Sequence, residues 1–438
     1  MTDEPLAPDA DTAPEDNADT VEVDGPADTT ADAPKPKRGR KAAIDLRPDP
    51  CDDGKPRVIS VAAGTLKTAL AGIGAVIERR NTIPILSNLR IEAVHGRASL
   101  TGTDLGLQCV RMIDVEQDAD APAFATTVNE ATLEAIVKKI DAEALVTLTL
   151  TPGKMLVTAG RARFTLPTLP IEDFPMMVSG GVDHQFEIAA FDLAALIDGV
   201  RFAMCTEETR YYLNGIYLHA TEARGPTGDG EGVVLVLRGV ATDGHRLARF
   251  DLPQPDGAGA LDGVIIPRKA IGVLDKMLDG VEGPVDVAIG TGKAVFDFGE
   301  VVLTTKLIDG TFPDYTRVIP SANDNILLID PKTLAAAVDR AMVMTSGKER
   351  GIRADLTRDL VTISCRSPEM GEASEESPCD HDGADLIVGF NGQYLAEMLG
   401  RIQGDTARFE LSDAAGPVLI RDANDEARGL YVLMPMRV

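Results

Sequence analysis

The pairing most suggestive of chemistry is Asp243-Gly244-His245-Arg246, because a carboxylate beside an imidazole can orient it as a general base. No G-x-S-x-G or comparable nucleophile motif accompanies it, so a hydrolase built here would have to draw a nucleophile or a metal from elsewhere. The five histidines, His95, His184, His219, His245 and His381, lack H-x-x-x-H or H-E-x-x-H spacing, and Cys51, Cys109, Cys205, Cys365 and Cys379 form no C-x-x-C pair. That argues against a metal centre and a disulfide scaffold. No G-x-x-x-x-G-K-[ST] loop is present; Gly72-Ile73-Gly74 lies inside a helix-period segment, and Gly290-Thr291-Gly292-Lys293 sits between alternating strands as a hairpin turn. The residue types therefore imply no cofactor and weigh against a catalytic centre, with a hydrolase on Asp243 and His245 as the competing reading.

The elements that must position these residues recur three times. Val58–Val61, Phe186–Ile188 and Ile326–Ile329 read as short strands, each followed by a helix-period segment: Leu66, Leu70 and Ile73; Leu193, Leu196, Ile197 and Val200; Leu334, Val338 and Ala341. Asp192 and Asp330-Pro331 suit caps and first turns. A second module follows in each block, with Val128-Asn129, Ile266-Pro267 and Phe390-Asn391 leading into helices carrying Leu133, Ile136 and Ile140; Ile271, Leu274 and Leu278; and Leu395, Leu399 and Ile402. Alternating strands joined by Gly-rich turns come next. The pattern predicts an α+β fold of three similar domains, each with two helices on antiparallel sheet, over residues 57–181, 182–322 and 323–438. One large irregular α+β enzyme is the competing architecture.

Composition narrows the partners. The 438 residues carry 43 Lys+Arg against 69 Asp+Glu, a net charge of −26, so contact with nucleic acid must come from a local patch. Aromatics are 4% with no Trp, which disfavours a base-stacking platform. Residues 1–34 hold eleven acids and no Lys or Arg, then comes the basic run Lys35 to Lys41, and a Pro/Asp-rich stretch ends near Pro56. Such a composition buries too little apolar surface to offset ordering entropy, so residues 1–56 are expected to be a disordered tail. No apolar window of 18 residues and no basic-then-apolar leader occurs, which predicts a cytoplasmic protein without a membrane segment.

Several ordered motifs are more specific. Asn81 to Leu89 (NTIPILSNL), Thr101-Gly102-Thr103-Asp104-Leu105, Arg163-Phe164-Thr165-Leu166, Leu169-Pro170 with Asp173-Phe174-Pro175, Arg210-Tyr211-Tyr212-Leu213-Asn214-Gly215, Ala241 to Ala248 (ATDGHRLA), Asp309-Gly310 with Phe312-Pro313-Asp314-Tyr315, and the terminal Met434-Pro435-Met436-Arg437 closely resemble the bacterial DNA polymerase III beta subunit, the replicative sliding clamp. The resemblance runs from about Arg57 to Val438. It implies a head-to-tail homodimer of three-domain chains, a ring of six similar domains around duplex DNA held without sequence specificity. Three repeats per chain suit such a closed heterologous assembly. The implied partners are the polymerase III alpha subunit, the clamp loader complex and other clamp-motif proteins, and the implied role is a non-catalytic processivity factor. A diverged second clamp with a specialised replication or repair task is the alternative within the family.

The resemblance also assigns residues. The partner-peptide cleft is implied at Leu213, Thr242, Gly244, His245, Arg246, Leu247, Pro313, Arg317, Val318, Asn391, Tyr394, Val432, Met434, Pro435, Met436 and Arg437. Its aliphatic and thioether side chains suit an adaptable apolar groove, with Arg246, His245 and Asn391 available to orient a short linear motif. DNA contact is implied at Arg80, Arg210 and Lys269. The dimer interface is implied at Arg161, Arg163, Phe164 and Leu166 on one side, and Val343, Met344, Glu369, Glu372, Glu375 and Glu376 on the other. Other helix-borne cations, Arg79, Lys138, Lys139, Arg268, Lys276, Lys332, Arg340 and Arg401, would give loose phosphate contact if they lined the hole.

Three features depart from the family pattern. Glu207-Glu208 precede Arg210 and should repel phosphate, Glu349 adds a negative charge at the expected cleft rim, and the Gly-rich residues 221–232 lengthen a hairpin. Two readings of other classes stay open at this point: a hydrolase on Asp243 and His245, and a free-standing sequence-specific DNA regulator.

Overall fold

A computed structural model of the chain describes residues 57–78, 81–177, 181–227, 230–259, 261–345, 350–424 and 427–437. The expected tail, Arg79, Arg80 and Glu349 lie outside the described residues.

Six helices occur among the described residues, two per repeat: α1 Ala63–Gly74 with α2 Glu130–Val137, α3 Ala190–Val200 with α4 Arg268–Leu278, and α5 Pro331–Met342 with α6 Gly392–Leu399. Each pair packs together. Their caps follow the sequence in the cases where an Asx residue stands at the start. Asn129 accepts from Thr132 N, Asp330 from Lys332 N and Thr333 N, and Asn391 from Gln393 N and Tyr394 N. The α3 helix instead has Ala189 at its N-cap position, with no side-chain cap, and Asp192 lies in its first turn. Two helices are shorter than the apolar period suggests, since α2 and α6 end before Ile140 and Ile402.

The helices rest on antiparallel sheet, and at each junction one sheet crosses from one repeat into the next. Val301–Lys306 pairs with Leu107–Asp114 to join the first and second domains in a twelve-stranded sheet. Arg246–Pro253 pairs with Gly429–Leu433 to join the second and third in a nine-stranded sheet. A four-stranded sheet of Gly351–Leu356, Leu360–Ser367, Gly371–Pro378 and Leu386–Asn391 completes the third domain. Backbone ladders across both junctions leave no sheet edge there to solvate.

Close helix-on-sheet packing explains two equivalent glycines. A Cβ on Gly102 would lie 2.4 Å from Ile73 of α1, and one on Gly239 would lie 2.6 Å from Leu196 of α3. A larger residue would drive Ile73 or Leu196 out of its packed position. The buried cluster from Ile59 to Leu433 is continuous through all three domains. A separate small cluster of Cys205, Leu213, Val240, Leu247, Ile265, Phe312, Tyr315, Leu419 and Val432 lies where the second and third domains meet. The lengthened hairpin forms two thirteen-residue strands, Gly215–Thr227 and Gly230–Thr242.

Candidate functional site

That second cluster is the floor beneath the residues assigned to the cleft. Leu213 ends the 3-10 turn Glu208–Leu213, and Leu247 stands opposite Val432 across the junction ladder. All three are buried, whereas Val318, Met434 and Met436 are 49%, 40% and 42% exposed above them. Thioethers and aliphatic carbon left in water over an apolar base are what a docking groove for apolar side chains requires. The carboxy-terminal segment is stitched into place, with Met434 N donating to the His245 carbonyl and Met436 N to the Gly389 carbonyl, both at 2.9 Å. Pro435 and Arg437 are carried with them. Asn391, Met436 and Arg437 also border a cavity of about 1080 Å³ that reaches Arg350 and Arg366.

The Asp243 turn has a structural use. Its Oδ1 accepts from His245 N at 2.9 Å and Arg246 N at 3.0 Å, its Oδ2 accepts from Arg246 Nε at 3.1 Å, and Gly244 turns the chain at φ +88°. Thr242 Oγ1 closes the same turn by donating to the Arg246 carbonyl at 2.7 Å. Both carboxylate oxygens are thus engaged away from the His245 ring, so Asp243 does not orient that imidazole as a base would need. Among the described residues no group of three His, Cys, Asp or Glu could hold a metal.

Arg246 differs from its expected use. It is 8% exposed, its guanidinium binds Asp243, Glu397 and the Phe202 carbonyl, and it lies over the Tyr394 ring at 4.0 Å and the Phe202 ring at 5.2 Å. Each of its three guanidinium nitrogens is engaged inside the protein, so it ties the second domain to α6. Asn391 likewise uses its side-chain oxygen as the α6 cap. His245 remains exposed at the rim, and Arg317 is 83% exposed with Asp314 as its partner at 2.9 Å. Sequence reasoning missed Glu397 and Phe202, whose contacts with Arg246 span 151 and 44 positions.

The cations assigned to DNA are partly spent. Arg210 makes a two-pronged contact with Glu207, at 2.9 and 2.6 Å, and donates to the Asp243 carbonyl at 2.7 Å. That hydrogen bonding from Arg210 holds the Glu207 carboxyl below its ordinary range. Glu207 therefore neutralises Arg210 directly. Lys269, at the start of α4, binds Glu78 at 3.1 Å and also Asp104, and so bridges the second domain to the first. Arg401 pairs with Asp198 at 2.7 Å, Arg340 with Glu375 at 2.8 Å and Lys138 with Glu134 at 2.8 Å. Lys139, Lys276 and Lys332 stay exposed, with no ion pair among the described residues.

The residues assigned to the interface occupy two open sheet edges. In Ala162–Leu169, residues 162–167 pair with Lys154–Ala159 on one side and have no strand on the other. Gly371–Pro378 pairs with Leu360–Ser367 alone. Because side chains alternate along a strand, Phe164 and Leu166 share one face and Arg163 lies on the other, with Arg161 in the turn just before the strand. On the second edge Glu372 and Glu376 share a face, and Glu375 on the opposite face is held by Arg340 of α5. Phe164 is 37% and Val343 67% exposed, with Met344 half-buried and Glu369 exposed nearby. One edge is cationic and the other anionic, each with apolar surface beside it.

Three similar α+β domains joined by antiparallel sheets that cross each domain junction, with open edges of opposite charge and an apolar cluster at the second junction, define a clamp-type chain. The models of the DNA polymerase III beta subunit match residues 58–178 (N-terminal domain), 187–314 (central domain) and 316–437 (C-terminal domain). The chain is 41% identical over 386 residues to the beta sliding clamp of Caulobacter vibrioides, covering 87% of this chain and 100% of that one. It is 36% identical over 359 residues to the beta sliding clamp of Escherichia coli, covering 82% and 94%. The crystal structure of the sliding clamp from Bartonella birtlesii, bound to griselimycin, superposes with a TM-score of 0.82 at 39% identity, covering 88% of this chain and 100% of that one. The chain belongs to the DNA polymerase III beta subunit family, the bacterial sliding clamps.

Proposed function

We propose that two copies join head to tail through the edges at Ala162–Leu169 and Gly371–Pro378 into a ring that encircles duplex DNA and tethers the polymerase III alpha subunit, the clamp loader and other clamp-motif proteins through the groove. In this reading the working units are residues 57–181, 182–322 and 323–438, and the ring acts in the cytoplasm as a non-catalytic processivity factor. No described helix is long and apolar enough to cross a membrane. The observation that carries it is the pair of unmatched antiparallel edges: each exposes a row of backbone donors and acceptors, and Arg161 and Arg163 on one answer Glu372 and Glu376 on the other. Retention then comes from topology. Lys139, Lys276 and Lys332 supply only loose phosphate attraction, which permits sliding.

The test is loading onto circular DNA with the loader and ATP, followed by linearisation. A ring stays on the circle and is released from the cut ends; retention on the linear product would overturn the reading.

A further inference from the structure

Beneath the groove the second domain holds a buried polar chain that peptide docking does not use directly. Arg238, 7% exposed, donates to Asp251 through Nε at 2.6 Å and Nη2 at 2.8 Å, and its Nη1 donates to the Tyr315 hydroxyl at 3.2 Å. That hydroxyl lies 3.0 Å from His219 Nε2. A guanidinium can only donate, so the Tyr315 oxygen accepts from Arg238; burial and the Arg238 charge favour the neutral His219 ring, and in the Nδ1–H tautomer its Nε2 accepts the Tyr315 proton. Two stacked contacts complete the chain: Tyr217 on His219 and Phe312 on Tyr217, both with centroids 4.8 Å apart.

What this chain holds is the segment Phe312–Val318, between the last strand of the second domain and the first of the third. Pro313, Arg317 and Val318 are the residues this segment contributes to the assigned cleft, while Phe312 and Tyr315 are its buried roots at 8% and 7% exposure. A single 3-10 turn, here Tyr315–Val318, has little stability of its own, so its position depends on those roots.

We propose that Tyr315, held by Arg238 and His219, is a positioning residue for the partner-peptide groove, and that partner binding weakens in mild acid because the contact requires neutral His219. This rests on the groove reading given above. Tyr217, Tyr315, Arg238 and Asp251 face His219, and Arg249 stands behind Asp251 at 3.4 Å. Burial, and then the Arg238 charge, hold the imidazole below its ordinary range against an opposing bond to the Ala220 backbone and the Asp251 charge. A protonated ring loses its acceptor and adds a second cation beside Arg238. The anchor is therefore complete above about pH 6.5 and is lost as the pH falls through the lowered folded-state value.

The experiment measures binding of the full-length protein to immobilised polymerase III alpha subunit by surface plasmon resonance, from mild acid to neutrality. Tyr315→Phe should bind about tenfold more weakly at neutral pH, with unchanged sedimentation and a flatter pH profile. His219→Gln, whose amide oxygen can still accept from Tyr315, should match the parent at neutral pH and lose the acid weakening. Unchanged affinity in Tyr315→Phe, or acid weakening retained in His219→Gln, would overturn the inference. Failure of a different kind, in which removal of Met434–Val438 leaves binding untouched, would overturn the groove reading and this inference with it.

Discussion

The Arg246 guanidinium carbon lies 4.0 Å from the centroid of the Tyr394 ring, across the junction between the second and third domains. Glu397, one turn further along α6, takes a hydrogen bond from the same guanidinium. The rim of the groove and the joint between two domains therefore share one buried cation.

Arg246→Ala should cost about 2 to 3 kcal/mol, less than the full loss expected for a buried pair because Glu397 is 33% exposed and can rehydrate. The same change should weaken partner binding through loss of the α6 brace. Urea unfolding and isothermal titration measure the two effects; an unchanged midpoint would contradict the bracing role.

Met436→Ala, or deletion of Met434–Val438, removes exposed thioether surface from the mouth of the groove while leaving the two open edges intact. Losing one such side chain should weaken partner binding about tenfold. Isothermal titration should report this with no change in sedimentation, and unchanged affinity would refute the groove.

Ring closure should follow charge. Arg163→Glu opposes Glu372 and Glu376 of the other copy and should raise the dimer dissociation constant at least about tenfold, as should high salt. Pairing it with Glu372→Arg in the same chain should restore assembly. Sedimentation insensitive to salt and to both substitutions would exclude charge pairing across the edges.

Glu207→Gln releases Arg210 from its two-pronged contact. Binding to short open-ended duplex at low salt should tighten, and the slope of log affinity against log salt should steepen by up to about 0.9 per chain, one phosphate contact. A fluorescence anisotropy salt series measures this, and an unchanged slope would show that Arg210 does not reach DNA.

The sequence by itself determined the repeat: apolar spacing places six helices on antiparallel strands, Asn129, Asp330 and Asn391 mark helix starts, and Pro331 fits the first turn of α5. These are local signals, since propensity, capping and periodicity act within a few residues. The ordered motifs also singled out Leu213, Leu247 and Val432, which the fold brings into one buried cluster. Only the tertiary structure decided how each charge is used. Arg246 is drawn inward by Glu397, Lys269 is taken by Glu78 and Asp104, and Tyr315 is rooted on Arg238 and His219. The partners of Lys269 lie 191 and 165 positions away, and the two contacts of Tyr315 span 77 and 96. A guanidinium or ammonium group takes the carboxylate or hydroxyl that folding brings within reach, and that choice is made by sheet pairing and domain packing rather than by neighbouring residues.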